Sequence, residues 1–86
     1  MFYTYVLKSK KDHDLYMGST RDLRSRFLKH NKGLVWSTKN RKPFELVYYE
    51  AYKSERDARQ REKNLKLQAN ALNQLKRRIT NSLKTD

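Results

Sequence analysis

Cysteine is absent from the 86 residues of this chain, and the sequence contains only one proline and two glycines. Disulfide bridges, thiolate zinc sites and cysteine nucleophiles are therefore excluded. Histidine is also scarce, and one of the two, His13, lies in a polar run that predicts a solvated turn. A zinc hydrolase is hard to build from such a sequence. Any metal must be bound by oxygen or imidazole.

Acidic side chains are few as well. Nine Asp and Glu oppose 21 Lys and Arg, so the net charge is +12. A field of this sign attracts polyanions, which favours nucleic acid as the partner, with a membrane surface as the competing one. No apolar run has the length of a spanning helix or a signal peptide. We therefore expect a soluble cytoplasmic protein with no membrane partner.

The chain is short enough that we expect one domain over residues 1–86. Residues 2–8 and 14–19 predict an antiparallel hairpin, and residues 44–52 predict a third strand. A first helix is predicted over about residues 21–30, capped by Ser19 or Thr20. A capping box at residues 54–57 opens a second helix, and the pattern shifts phase near Gln68 before a third. The order ββαβαα predicts an α+β domain with helices flanking a three-stranded antiparallel sheet.

Arg26 and His30 lie four residues apart on the first helix, so both can reach the same phosphate, although a charge-rich helix face is often merely solvated. Tyr5 and Tyr16 lie on the predicted hairpin, where tyrosines also serve as packing residues. Glu62 falls within about 60° of Ala58 and Leu65 around the second helix, at the border of its inward face. This carboxylate has two alternative roles, as a partner in an ion pair or as a ligand of a metal ion.

Taken in order, these segments resemble the GIY-YIG nuclease superfamily, and within it the small stand-alone proteins related to the catalytic domain of the excision-repair nuclease C subunit. The first motif matches Tyr3-Thr4-Tyr5 and the second matches Tyr16-Met17-Gly18. The helical arginine matches Arg26, with His30 one turn on, and the metal-binding glutamate matches Glu62. The first two residues of the first motif and Met17 depart from the family pattern, and Ser19 replaces a lysine of the excision-repair members.

The resemblance implies a metal-dependent endonuclease that hydrolyses DNA phosphodiester bonds by direct attack of water, with one metal ion and no covalent intermediate. Glu62 would hold Mg²⁺ or Mn²⁺, and Arg26 would neutralise charge on the phosphorane. Tyr5 and Tyr16 would position and deprotonate the water, assisted by His30. Which tyrosine is the base stays open. We expect nearby cations to lower the pKa of the phenol that acts as base.

The basic loop between the first helix and the third strand contains the only tryptophan, Trp36, together with Lys39, Arg41 and Lys42. Stacking on Trp36 with cations along the backbone predicts DNA binding with a preference for single strands. Anchoring of the loop by Trp36 is the alternative. Two other classes remain: a non-catalytic nucleic-acid binder, and a module whose third helix docks a partner. No obligate protein partner is evident.

Overall fold

Three antiparallel strands form one sheet in the order β2-β1-β3. The computed structural model describes residues 1–84, in which β1 spans Phe2–Ser9, β2 spans Leu15–Thr20 and β3 spans Phe44–Tyr52. In the register, Tyr5 of β1 lies opposite Gly18 of β2 and Tyr49 of β3. The predicted sheet is confirmed, and β2 is one of its two edge strands. The single-domain prediction extends to Thr85 and Asp86, which lie outside the described residues.

The two faces of the sheet bury different clusters because successive strand side chains point to opposite sides. Tyr5 and Leu7 of β1 pack with Phe44 on one face, where Phe27 of the first helix covers them. Val6 lies on the other face in a cluster whose remaining buried members are Leu65, Leu75 and Ile79. Helices therefore cover both faces of the sheet, and β2 forms a shared edge between the two layers.

Helix α1 spans Leu23–Asn31, and its N-cap is Asp22, whose carboxylate accepts a bond from the Ser25 backbone N–H. The predicted cap at Ser19 or Thr20 is wrong. The Thr20 hydroxyl instead accepts from the Asp22 backbone N–H, one turn before the helix begins. Hydroxyl and carboxylate caps have similar preferences, so composition alone did not separate them.

Helix α2 spans Glu55–Leu67 and helix α3 spans Ala69–Arg78. Gln68 between them has extended backbone angles, which confirms the predicted break. The predicted capping box is wrong, because Ser54 occupies the N-cap position without a side-chain bond to the helix. None of the helices within residues 1–84 is long and apolar enough to cross a membrane.

Glu50 of β3 anchors α2 to the sheet. Its carboxylate accepts bonds from Arg61 at 3.0 and 3.2 Å, from Tyr48 at 2.6 Å, and from Tyr52. Burial alone would raise the pKa of Glu50, but the bonds from both tyrosines and Arg61 lower it overall. The clamp fixes the rotation of α2 so that Arg61 points to β3 and the next residue, Glu62, points to β2.

We predict that Glu50→Ala lowers the free energy of unfolding by at least ~2 kcal/mol, because it leaves a guanidinium and two phenols without their shared acceptor. Denaturant unfolding followed by circular dichroism measures the change. Glu45→Ala, on an exposed position of the same strand, is the matched control and should change stability little. Equal losses in the two variants would mean that the Glu50 network does not hold α2 in place.

Candidate active site

The Tyr5 phenol lies across the backbone of Gly18. The two residues are register partners on β1 and β2. A Cβ atom at position 18 would come within 2.5 Å of the Tyr5 Cζ atom, far inside van der Waals contact. Only glycine therefore allows the phenol to cross β2 at this point. Tyr5 is buried, with 1% of its surface exposed.

His30 of α1 lies at the centre of a buried hydrogen-bonded chain. Its Nε2 lies 2.8 Å from Tyr5 Oη and its Nδ1 lies 2.7 Å from Thr38 Oγ1. The His30 ring is completely buried, and the Tyr16 ring lies edge-on to it with centroids 5.2 Å apart. A neutral imidazole has one N–H donor and one acceptor nitrogen, so it matches two hydroxyl partners without an unpaired polar atom.

Burial is the main reason why the Tyr5 and His30 side chains of this hydrogen-bonded chain are uncharged. Burial, followed by the nearby Arg26 charge, lowers the pKa of His30 to about 4. Burial raises the pKa of Tyr5 to about 12, although a hydrogen bond from Arg26 acts in the opposite direction. The lowered pKa expected of the phenol that acts as base is therefore not found at Tyr5 in the absence of a metal ion, because desolvation outweighs the guanidinium. Tyr5 and His30 are both uncharged near neutral pH.

Glu62 reaches the edge strand from the opposite layer. Its carboxylate accepts from the Ser19 hydroxyl at 2.6 Å and from the Lys66 ammonium at 2.6 Å. The Lys66 Nζ also lies 5.4 Å from the centroid of the Tyr16 ring. The ion pair considered for Glu62 is therefore present, and the carboxylate sits beside one of the two candidate tyrosines.

The oxygen atoms at Glu62 are ligands that suit a hard divalent cation. A carboxylate and a hydroxyl are oxygen ligands, and the Lys66 ammonium already occupies the carboxylate as a cation would. Within residues 1–84, no group of three or more His, Cys, Asp or Glu side chains gathers that could hold an ion. Mg²⁺ commonly takes one or two protein carboxylates and completes its shell with water and substrate phosphate, so Glu62 fits this mode.

The predicted catalytic residues come together at β2 because the edge strand is open to both layers. Tyr5, Tyr16 and His30 are in direct contact, and the Arg26 charge acts on the pKa values of both Tyr5 and His30. Glu62 is connected to this group by its hydrogen bond from Ser19 on β2 and by its ion pair with Lys66, whose ammonium lies near the Tyr16 ring.

The predicted DNA-binding residues of the loop do not form one cluster. Trp36 is 82% exposed, and the Lys39 Nζ lies 3.9 Å from its ring centroid. Arg41 instead pairs with Asp12 in the β1–β2 turn, with 2.7 Å between Nε and Oδ2. The Lys42 side chain lies over Gly33, at the start of the loop. Anchoring of the loop is not the task of Trp36, since Val35 and Thr38 are the buried residues beside it.

Three residues of the site were not among the predicted site residues: Thr38, Ser19 and Lys66. Thr38 binds His30 across eight positions of sequence, and Ser19 binds Glu62 across 43. Lys66 is predictable from the sequence, because it lies one helical turn after Glu62 and ion pairs at that spacing are common. The other two depend on how the loop and the two layers fold together.

A surface groove of about 850 Å³ contains none of the predicted site residues. It lies between α1 and β3, where Phe27, Leu46 and Tyr49 form part of its wall. Its one carboxylate, Asp22, is already the N-cap of α1. The chemistry of the chain is therefore concentrated at β2 and not in this groove.

Comparison with known proteins agrees with this geometry. The model of the GIY-YIG catalytic domain matches residues 1–80, and the chain belongs to this family of nucleases. GIY-YIG nucleases generally use a divalent metal, and their domain implies a nucleic-acid substrate.

Individual relatives carry the name UPF0213, which states no activity. A UPF0213 protein of Clostridium perfringens is 42% identical over 67 residues, covering 77% of this chain and 71% of the relative. A UPF0213 protein of Staphylococcus saprophyticus is 40% identical over 65 residues, covering 74% and 78%. The solution NMR structure of a UPF0213 protein from Bacillus halodurans superposes with a TM-score of 0.54 at 36% identity, covering 87% of this chain and 82% of that one.

We predict that Thr38→Val lowers the free energy of unfolding by about 1–3 kcal/mol, because it leaves a buried imidazole nitrogen without its partner. Thr4→Val is the matched control: Thr4 is equally buried, but its hydroxyl donates to the Ala58 carbonyl and not to His30. Each change is combined with His30→Gln in a double-mutant cycle measured by denaturant unfolding. Thr38 should couple to His30 by at least ~0.5 kcal/mol and Thr4 should be additive with it. If the stability losses of the Thr38 and His30 variants were additive, the hydrogen bond between these two side chains would be contradicted.

Proposed function

We propose that this protein is a metal-dependent endonuclease that hydrolyses DNA phosphodiester bonds by direct attack of water. The observation that carries the proposal is the meeting of Tyr16, Arg26 and His30 with Glu62 at one sheet edge, in a chain of net charge +12. Membership of a nuclease family supports the reaction class. Charge alone would serve a passive DNA binder, but such binding does not require this set of side chains.

Arg26 and Tyr16 have the two most direct roles. The Arg26 guanidinium is permanently charged and planar, so it suits a phosphate whose charge increases in the transition state. Tyr16 is partly exposed, whereas Tyr5 is buried with its pKa raised to about 12. We assign the positioning of the attacking water to Tyr16 for this reason, and its deprotonation to the phenolate form of Tyr16, which takes up the proton and becomes the neutral phenol.

Tyr5 and His30 position the residues that carry out this chemistry. Their bond at 2.8 Å fixes the His30 ring against Tyr16 and holds the Tyr5 phenol next to Arg26. His30 is uncharged at neutral pH and is bonded to Tyr5 and Thr38, so it serves here as a neutral positioning residue. These two residues therefore orient the water-binding phenol and the phosphate-binding guanidinium.

Glu62, with Ser19 beside it, would hold Mg²⁺ or Mn²⁺. The ion would polarise a non-bridging phosphate oxygen and stabilise the leaving 3′ oxygen when bound. For a metal ion to bind, the Lys66 ammonium must move away from the Glu62 carboxylate. The adjacent Tyr16 ring offers that ammonium a cation–π contact. The proposal requires no protein partner.

We predict that Glu62→Gln abolishes cleavage while DNA affinity and fold stay nearly unchanged, because the side chain is partly exposed and an amide keeps its shape. Purified protein is incubated with labelled single-stranded DNA, duplex DNA and RNA, each with Mg²⁺, Mn²⁺ or EDTA. Asp57→Asn, at an exposed carboxylate on the same helix, is the control and should cleave normally. DNA binding without cleavage by the wild-type protein in every metal would contradict the enzyme and favour a non-catalytic binder.

We predict that Tyr16→Phe lowers the single-turnover cleavage rate by at least ~10²-fold, as expected for loss of a general base. Tyr5→Phe should also lower the rate by at least ~10²-fold, and in addition lower stability because it leaves His30 Nε2 unpaired. Tyr49→Phe, on an exposed position of β3, is the matched control. Wild-type rates in both variants would assign Tyr5 and Tyr16 to packing alone.

Single-stranded DNA is the substrate form that we propose the chain prefers. An exposed Trp36 beside the Lys39 ammonium offers a stacking surface and a cation to one unpaired nucleotide. Lys42 adds charge to the same loop, while Arg41 contributes less because Asp12 already neutralises it. Thr38 links this loop to His30, so a strand held by Trp36 would lie close to the site.

We predict that Trp36→Ala weakens single-stranded DNA binding about fivefold or more, in line with ~1–3 kcal/mol per stacked base, and leaves duplex binding and the melting temperature nearly unchanged. Leu34→Ala, an exposed apolar residue in the same loop, is the control. Fluorescence anisotropy with labelled oligonucleotides measures both affinities. Equal losses on the two DNA forms would show that Trp36 does not stack on an unpaired base.

A further inference from the structure

Helix α2 presents a row of cations next to Glu62. Arg56, Arg59, Lys63 and Lys66 follow at spacings of three, four and three residues, and all four are exposed. With 3.6 residues per turn, these positions fall within an arc of about 80°. Glu62 borders that arc, on the side that faces β2. The row therefore lies along the flank of α2 that leads to the candidate active site.

The cations of this row have few counter-ions. Arg56 and Lys63 have no carboxylate within ion-pair distance among residues 1–84. Arg59 lies 3.6 Å from Glu55, but both side chains are more than half exposed, and such surface pairs contribute little. Lys66 pairs with Glu62 at 2.6 Å, so Arg56, Lys63 and the weakly paired Arg59 carry the charge that is left uncompensated. Such charge gathered on one flank attracts an anionic ligand more strongly than the same charge spread over the surface.

A continuous groove runs between this row and the edge of β2. One stretch of the groove is lined by Ser19, Arg26 and Arg59 among others, and the adjoining stretch by Ser19, Arg59, Glu62 and Lys63. Because Ser19 and Arg59 belong to both stretches, the two form one path. The path passes Arg26 and Glu62, where the proposed reaction takes place.

We propose that this groove binds the backbone of one DNA strand, with Arg59 and Lys63 on the phosphates next to the one that is cleaved. The inference rests on the proposed function, which places the reacting phosphate between Arg26 and Glu62. Arg56 to Lys66 spans about 15 Å of helix at 1.5 Å per residue. That length covers roughly four nucleotides at the 3.4 Å rise that each strand has along the axis of duplex DNA, and fewer along an extended single strand.

A DNA strand fits this flank better than an anionic membrane surface does. An interfacial helix needs an apolar face to insert between lipids. In α2 the apolar residues Ala58 and Leu65 are buried against the sheet, with about 1% of each exposed, and Leu67 at the end of the helix is the one exposed apolar side chain, which is too little for an inserting face. Apart from Leu67, the flank beside the groove is charged and polar, which suits phosphates held in water.

The test is a double variant, Arg59→Gln with Lys63→Gln, measured by anisotropy with a fluorescein-labelled single-stranded oligonucleotide in EDTA, so that no cleavage occurs. Affinity at 100 mM salt should fall at least ~10-fold. The slope of log K against log salt should become shallower by about 1.4, because each lost single-strand phosphate contact contributes ~0.7. The control removes the same two charges from α3, as Lys76→Gln with Arg77→Gln, and should change affinity less than about twofold.

Equal affinity losses in the two double variants would contradict DNA binding in the groove, since net charge alone would then explain the affinity. Loss of binding to phosphatidylserine vesicles with DNA binding intact would overturn it in favour of a membrane surface. Loss of DNA binding in the groove variant with an unchanged melting curve supports it. If the wild-type protein neither binds nor cleaves any oligonucleotide, the proposed function itself fails, a result separate from failure of the groove.

Discussion

The hydrogen bond between Tyr5 Oη and His30 Nε2 connects the sheet to α1 in the interior of the protein. Both groups are buried, so each would carry a desolvation cost without the other. Thr38 satisfies the remaining ring nitrogen and ties the basic loop to the same point. Gly18 is required because any side chain there would occupy the space of the Tyr5 phenol. Strand, helix and loop positions near the site all depend on this one contact.

The edge strand β2 supplies the second constraint, because residues on its two faces belong to different layers. Tyr16 packs with the α1 layer, while Ser19 bonds to Glu62 of α2. The clamp of Arg61 on Glu50 sets the rotation of α2 that makes this possible. A carboxylate from one layer thus comes beside phenols and a guanidinium from the other, at an edge open to a long polyanionic ligand.

Sequence patterns predicted the elements better than the contacts between them. The order ββαβαα and the break at Gln68 depend on local periodicity, and both are confirmed. Asp22 replaced the predicted caps because neighbouring polar residues compete for the same backbone groups. Tyr5, Tyr16 and His30 were predicted from ordered motifs and are in contact, but Thr38 and Ser19 act through partners that only the fold brings near. The raised pKa of Tyr5 depends on burial depth, which no local pattern gives.

The central claim is that His30 is a buried, neutral link between two hydroxyls, and a pH titration of its ring tests it directly. Two-dimensional ¹⁵N NMR of the imidazole, assigned with the His30→Gln variant, reports charge and tautomer from pH 8 downward. We predict a single neutral tautomer that persists until about pH 4, with stability falling as the pH drops from about 6.5, since the unfolded chain takes up a proton before the folded one. Titration near pH 6.5, or a mixture of tautomers at pH 7, would contradict the account.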